Sequence, residues 1–267
     1  MTTSTPGPTT LDEPGPPPPR RPRRHPLRVV TAVLSALLGS GLLAGAAATA
    51  WSEHRAAHRP LPPDAAYRKA ASLWREAPVD RLFPPVIDAE RSGPGGADRT
   101  WTRTALAPDA DCPAGLAADW RTAFAATDCT RVLRATYTDA TRSSLVSVGL
   151  VFTAADAPTL AGLAPRLGAP PAFGYADSRR AAWTATALPG APVVVYAVSA
   201  FADGRAMDAP VPAEEAARED AEGVVAEAGL GHAARAVATR IGLDVGALAA
   251  PPAPAGTSVP DTPEHRR

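Results

Sequence analysis

The longest feature of the hydropathy pattern is an uncharged run over residues 29–50, with the sequence VVTAVLSALLGSGLLAGAAATA. As an α-helix rising about 1.5 Å per residue it would extend roughly 33 Å, enough to cross the hydrocarbon core of a bilayer. The run has no polar face, and the Pro/Arg-rich chain before it offers no apolar surface for a buried helix to pack against. The pattern therefore predicts a transmembrane helix over residues 29–50.

Shorter periodic segments follow this run. Leu116, Trp120 and Phe124 recur every four residues, the spacing of an amphipathic helix. Val146 and Val148 alternate with small or polar residues, which is typical of a strand. Applied along the chain, these two periods predict helices at 113–127, 156–167, 213–228 and 231–241, and strands at 100–107, 131–138, 144–153, 180–188 and 192–201.

The order of these elements predicts an α+β domain at 99–250, with an antiparallel sheet of about five strands and helices packed on one face. A juxtamembrane helix and an irregular connector are expected at 51–98. The terminal segments 1–28 and 251–267 are rich in proline and poor in large apolar side chains, so we expect both to be disordered.

Charge predicts the orientation of the apolar run. Residues 1–28 carry five arginines against Asp12 and Glu13, a net charge of +3, and the rest of the chain carries −3. By the positive-inside rule, the N-terminus is cytoplasmic and the C-terminal domain is extracytoplasmic. We therefore expect a single-pass protein of the cell membrane.

Two export signals are alternatives to this anchor. Residues 48–50, Ala-Thr-Ala, match the small-x-small pattern of a signal-peptide cleavage site. However, the basic leader is long, and the apolar run exceeds the usual h-region of about 7–15 residues. Arg20 and Arg21 suggest twin-arginine export, but Pro22 follows at once and the usual apolar pair is missing. The anchored form is the favoured interpretation.

The chain has only two cysteines, Cys112 and Cys129, and both fall in the part predicted to be extracytoplasmic. In an oxidising compartment such a pair predicts a disulfide. It would staple the helix at 113–127 to the following strand by closing a loop of about eighteen residues, worth roughly 3 kcal/mol in the chain-entropy model. A redox pair is the alternative, but the C-x-x-C spacing is absent. A zinc site lacks further ligands at suitable spacing.

Overall charge and composition exclude one class of partner. The chain has 27 basic and 27 acidic residues, and aromatic residues make up 5% of it. A neutral balance and few aromatic side chains give neither a phosphate-binding surface nor a base-stacking surface. We therefore expect no nucleic acid as a partner.

No motif in the sequence points to catalysis. The phosphate-loop, nucleophile-elbow, dinucleotide and H-E-x-x-H patterns are missing. His232 is the only histidine inside the predicted domain, while His54 and His58 follow the apolar run and lack a third ligand. Two carboxylate pairs, Asp109 with Asp111 and Glu214 with Glu215, fit loop and first-turn positions. We therefore predict no catalytic residue, no cofactor and no metal.

The layout carries a resemblance. A Pro/Arg-rich leader and the apolar span at 29–50 are followed by VDRLFPP at 79–85, DC at 111–112 and CTRVLRATYTDATRSSLVSVGL at 129–150. These features resemble the uncharacterised single-pass membrane proteins of high-GC Gram-positive actinobacteria. The resemblance covers most of the chain and implies no activity.

The sequence favours a non-enzymatic envelope protein whose extracytoplasmic domain binds another envelope component, a protein or a cell-wall polymer, as an accessory to a secretion or signalling assembly. Two alternatives stay open: a transmembrane sensor that signals to the cytoplasmic tail, and an envelope hydrolase with unrecognised residues, tested first at His232. A homodimer is a further possibility, because Gly41-x-x-x-Gly45 allows close helix contact in membranes. That spacing is expected by chance in so alanine- and glycine-rich a span.

Overall fold

A computed structural model describes residues 26–57 and 61–250. Helix α1 covers Pro26–Ala57 and includes the whole predicted span at 29–50. Its segment Val33–Arg55 is long and apolar enough to span a membrane. Most leucines of α1 are largely exposed, with Leu42 at 76%, which is unlike a core helix. The helix begins three residues inside the segment predicted as a disordered tail, because Pro26 suits a first helical turn. The remainder of the two predicted tails lies outside the described residues.

The chain divides into two compact units, Met1–Arg59 and Pro60–Arg267. The second unit contains helices α2 (Pro63–Ala70), α3 (Leu73–Glu76), α4 (Val79–Leu82), α5 (Cys112–Gly115), α6 (Ala118–Phe124), α7 (Ala157–Leu163), α8 (Ala213–Ala216), α9 (Val224–Glu227) and α10 (Leu230–Ala249). Its strands are β1 (Val86–Ala89), β2 (Arg99–Leu106), β3 (Arg131–Asp139), β4 (Ser144–Phe152), β5 (Ala182–Ala187), β6 (Val193–Phe201) and β7 (Val211–Pro212).

These strands form one sheet in the order β1-β2-β3-β4-β6-β5-β7. All neighbours are antiparallel except β5 and β7, which pair in parallel over two residues. The α+β class is confirmed, and the five predicted strands are β2 to β6. The expected number of strands is wrong, because β1 and β7 extend the sheet to seven. Both are short, and β1 lies in the segment we expected to be an irregular connector.

Helices cover both faces of the sheet, so the prediction of helices on one face is also wrong. Strand β6 shows this directly. Val193 and Val195 pack in one core with α10, whereas Val194 and Tyr196 pack in a second core with α6 and α7. In the second core, the Trp120 and Tyr196 rings pack edge to face, with their centroids 5.0 Å apart. The near-continuous apolar sequence of β6 is the pattern of a strand buried on both sides.

Two predicted helices are broken. The helix expected at 113–127 divides into α5 and α6 because Leu116 is extended, with φ −117° and ψ 146°, and is buried in the second core. The acidic helix expected at 213–228 divides into α8 and α9, and Gly223 before α9 has a φ of 92° that favours glycine. The last helix is instead longer than predicted and ends at Ala249.

The turn between β3 and β4 is held by one carboxylate. Asp139 accepts hydrogen bonds from the backbone N–H groups of Ser143 and Ser144 at 2.8 and 2.9 Å. It also accepts from the hydroxyls of Thr141 and Ser143 at 2.6 and 2.8 Å. Burial acts to raise the pKa of Asp139, but these four hydrogen bonds outweigh it and leave the pKa below its usual value. The predicted strands at 131–138 and 144–153 thus form an antiparallel hairpin.

The sulfur atoms of Cys112 and Cys129 lie 1.97 Å apart, at the distance of a disulfide bond, with their Cα atoms 6.1 Å apart. The bridge ties the start of α5 to the chain just before β3. The predicted pairing is confirmed.

Replacing both cysteines by serine is expected to lower the free energy of unfolding by about 3 kcal/mol, because the unfolded chain regains the entropy of the open loop. Urea denaturation of the full-length protein, with and without reductant, measures this. Reductant should shift the wild-type midpoint and leave the double variant unchanged. Equal stability of the two oxidised proteins would contradict a structural role for the bridge.

Candidate ligand-binding surface on helix α10

Two concavities flank the exposed side of helix α10. The larger, here called the charged cleft, has a volume of about 1410 Å³. It is lined by residues 88–96 at the end of β1 and in the β1–β2 connection, by the chain around α8 and α9, and by residues 232–243 of α10. The smaller, here called the apolar trough, has a volume of about 560 Å³ and lies between α10 and the β5–β6 hairpin. Arg235, Thr239 and Leu243 line both and form the ridge between them.

Two glycines place the start of α10 against the walls of the charged cleft. Gly229 has a φ of +65°, and a Cβ there would lie 2.8 Å from Pro94 Cγ. A Cβ at Gly231 would lie 2.7 Å from the carbonyl oxygen of Ala213. Both positions therefore require glycine, which lets the start of α10 pack closely against its neighbours.

The charged cleft carries both signs of charge. Its charged side chains are Asp88, Glu90, Arg91, Arg218, Glu219, Glu227, Arg235 and Arg240. Arg218 pairs with Asp220 at 3.5 Å and Arg240 with Asp244 at 3.2 Å. Arg91 and Arg235 make no ion pair with any residue in the described ranges. These two guanidinium groups are therefore available to carboxylate or phosphate groups of a partner.

His232 lies in the wall of the charged cleft and is half-buried. Burial lowers the pKa of its imidazole, and the positive charges of Arg235 and Arg99 lower it further, whereas a hydrogen bond with the backbone of Ser92 acts in the opposite direction. Within residues 61–250, no carboxylate is hydrogen-bonded to this histidine. The site thus lacks the carboxylate–histidine pair that orients a general base.

The other residues considered for chemistry are held in structural contacts. Asp111 caps α5 by accepting the Ala114 N–H at 3.0 Å, and Asp109 pairs with Arg131 at 3.5 Å. Glu214 accepts the Thr184 hydroxyl at 2.8 Å in the wall of the apolar trough. The described residues include no group of three histidine, cysteine or carboxylate side chains that could hold a metal ion.

The remaining candidates are one carboxylate and two histidines. Glu215 lies in the first turn of α8, as predicted, and is exposed. His54 belongs to α1, and His58 lies outside the described residues.

Sequence reasoning singled out one residue of each concavity, His232 in the charged cleft and Glu214 in the apolar trough, and did not predict the charged cleft. The cleft forms from three segments far apart in the chain, and no motif links them. Comparison with protein-family models, curated proteins and solved structures found no match for this chain. Function is therefore inferred from the geometry described above.

The lowered pKa of His232 predicts a pH dependence of stability. The folded state favours the neutral imidazole, so the unfolded chain binds more protons below the ordinary pKa of 6.5. The stability contributed by His232 is complete above pH 6.5 and is lost as the pH falls through the lowered pKa. The difference in unfolding free energy between the wild type and His232→Asn should shrink as the pH falls from about 7.5 to about 5. Urea denaturation of both proteins at several pH values measures this difference. If the unfolding free energies of the two proteins changed with pH in parallel, the lowered pKa of His232 would be contradicted.

Proposed function

We propose that the protein is a single-pass, non-enzymatic membrane protein whose extracytoplasmic domain binds another envelope component, a protein or a cell-wall polymer. The membrane-spanning element is α1, and the N-terminus is cytoplasmic. The binding surface is the charged cleft beside α10. This proposal extends the resemblance to actinobacterial single-pass membrane proteins, which implies a similar layout.

Two independent features support the anchored, extracytoplasmic placement. Helix α1 has the length and exposed apolar surface of a membrane helix, with the leader arginines before it. The Cys112–Cys129 pair lies at disulfide distance, and disulfides persist in oxidising compartments outside the cytoplasm. The positive-inside rule assigns the same side of the membrane to these cysteines.

The size of the charged cleft is the observation that carries the binding proposal. Its volume of about 1410 Å³ exceeds the ~300–1,000 Å³ typical of small-molecule sites, which favours an extended partner such as a polymer or a protein segment. Arg91 and Arg235, which form no ion pair within residues 26–57 and 61–250, offer charge-assisted hydrogen bonds to anionic groups. The neighbouring carboxylates, Asp88 and Glu90 among them, would disfavour a uniformly anionic partner and so contribute to specificity.

The anchor predicts that the mature protein keeps its N-terminus. The full-length chain should stay in the membrane fraction through alkaline carbonate extraction, and its N-terminal peptide should be detected by mass spectrometry. A reporter enzyme that is active only outside the cytoplasm, fused to the C-terminus, should be active. A mature chain that begins at Trp51 would instead identify residues 1–50 as a cleaved signal peptide.

The binding role predicts a partner that depends on the charged cleft. In-cell crosslinking of the full-length protein, followed by affinity purification and mass spectrometry, should recover an envelope component that is lost when residues 60–250 are deleted. Arg91→Glu should reduce recovery by about tenfold, because reversal of a contact charge is repulsive. Arg81→Glu on the exposed side of α4 is the matched control and should leave recovery unchanged. Equal recovery with both variants, or no partner at all, would overturn the proposed role of the cleft.

A further inference from the structure

We propose that the apolar trough binds the acyl chain of an anionic amphiphile, with the head group on Arg235. The chemical class is a fatty acid or a lipid with a single accessible chain and an anionic head. This site is distinct from the charged cleft, although the ridge of α10 borders both.

The trough exists because α10 presents small side chains to the β5–β6 hairpin. Ala238, Gly242 and Gly246 line it at intervals of four residues, on one side of the helix. A Cβ at position 242 would reach Leu188 Cδ2 at 3.2 Å, and a Cβ at position 246 would meet nothing within 4 Å. Protein interiors are normally close-packed, so a gap of this size between packed elements leaves room for a ligand.

Most of the trough wall is apolar. Leu188, Pro189 and Val195 form the hairpin side, and Leu243 forms part of the ridge with 66% of its surface exposed. The volume of about 560 Å³ falls within the ~300–1,000 Å³ of ordinary ligand sites. Exposed apolar surface in a concavity favours an apolar occupant, because filling the trough removes this surface from water.

The polar groups gather toward one end. Arg235 lies near the start of the trough, and Gly246 lies eleven residues further along α10, about 16 Å at the helical rise. The Glu214 carboxylate accepts a hydrogen bond from the Thr184 hydroxyl. The Arg235 guanidinium, in contrast, has no ion-pair partner in the described part of the chain. A free cation at one end of an apolar channel complements an amphiphile with an anionic head.

An acyl chain fits the far end better than a peptide segment does. There the lining residues are Leu188, Pro189, Gly190, Leu243, Gly246 and Ala247, which have no polar side chains. A peptide laid along these residues would bury backbone N–H and C=O groups without side-chain partners, which is unfavourable, whereas a hydrocarbon chain has no such groups. The proposal rests on the membrane anchor of the proposed function, since a domain held at the membrane has lipids nearby as a source of ligand.

Photolabelling tests the proposal. The full-length protein in lipid nanodiscs is irradiated with a diazirine-bearing hexadecanoic acid, and the labelled peptides are mapped by mass spectrometry. We expect labelling of the 188–190 turn and of the C-terminal half of α10, competed by unlabelled hexadecanoate. Labelling of α1 reports on the anchor separately. If α1 is labelled and the trough is not, this proposal is overturned and the membrane anchor is still supported. If the trough is labelled and α1 is not, the result supports the trough as a binding site and counts against the anchor.

Matched variants locate the acyl chain. Gly242→Leu fills the trough and should reduce its labelling by about tenfold or more, equivalent to ~1.4 kcal/mol. The same change at Gly162 on α7, where a Cβ would meet nothing within 4 Å, is the control and should have no effect. Circular dichroism shows whether each variant is folded. Undiminished labelling of a folded Gly242→Leu protein would overturn the proposal.

The head group is tested without altering the packing of α10. Arg235→Gln should reduce labelling by the photoreactive acid about tenfold, because a charge-assisted contact is lost, and should leave labelling by the corresponding photoreactive alcohol unchanged. Arg240→Gln, one turn further along α10 and outside the trough, is the control. An equal loss with acid and alcohol would overturn the assignment of Arg235 to the head group.

Discussion

The burial of strand β6 on both faces is the constraint on which the rest of the domain depends. Val193 and Val195 require a helix on one side, and Val194 and Tyr196 require a second layer on the other. A strand buried in this way occupies the interior of a sheet with both faces covered. The long α10 covers one face, while α6, α7 and the disulfide beside them cover the other.

The composition of α10 then decides where the domain is open. Its inward residues, such as Val237 and Ile241, are branched and fully buried, so the helix is fixed on the sheet. Its flanks instead carry alanine and glycine toward the hairpin and charged side chains toward the β1–β2 connection. Helix α10 packs closely on the sheet along one stripe of side chains, which fixes its position. Its two flanks pack poorly against their neighbours, so a groove remains on each side. The two concavities are therefore a consequence of how unevenly α10 fills its surroundings.

Residue periodicity, the length of the apolar run and the presence of only two cysteines were sufficient to predict five strands, the apolar helix and the cysteine pair. They were insufficient where tertiary contacts override local pattern. Strand β1 has only four residues and forms by pairing with β2, and Leu116 breaks a helical pattern because it is buried as an extended residue. The near-continuous apolar run of β6 did carry a signal for helices on both faces, although helices were expected on one face only. The charged cleft left no local signal, since distant segments form it.

The ridge of α10 links the two grooves through Arg235, which faces both. A guanidinium group that holds the head group of an amphiphile in the trough has fewer donors left for an anionic partner in the charged cleft. Such competition for one side chain is a coupling free energy between two sites, and it is reciprocal: occupation of either groove weakens binding in the other by the same factor. Arg91 remains available in the cleft in both cases, so the coupling is partial. The two proposed sites together therefore predict weaker binding of a partner in the charged cleft while the trough holds an anionic amphiphile.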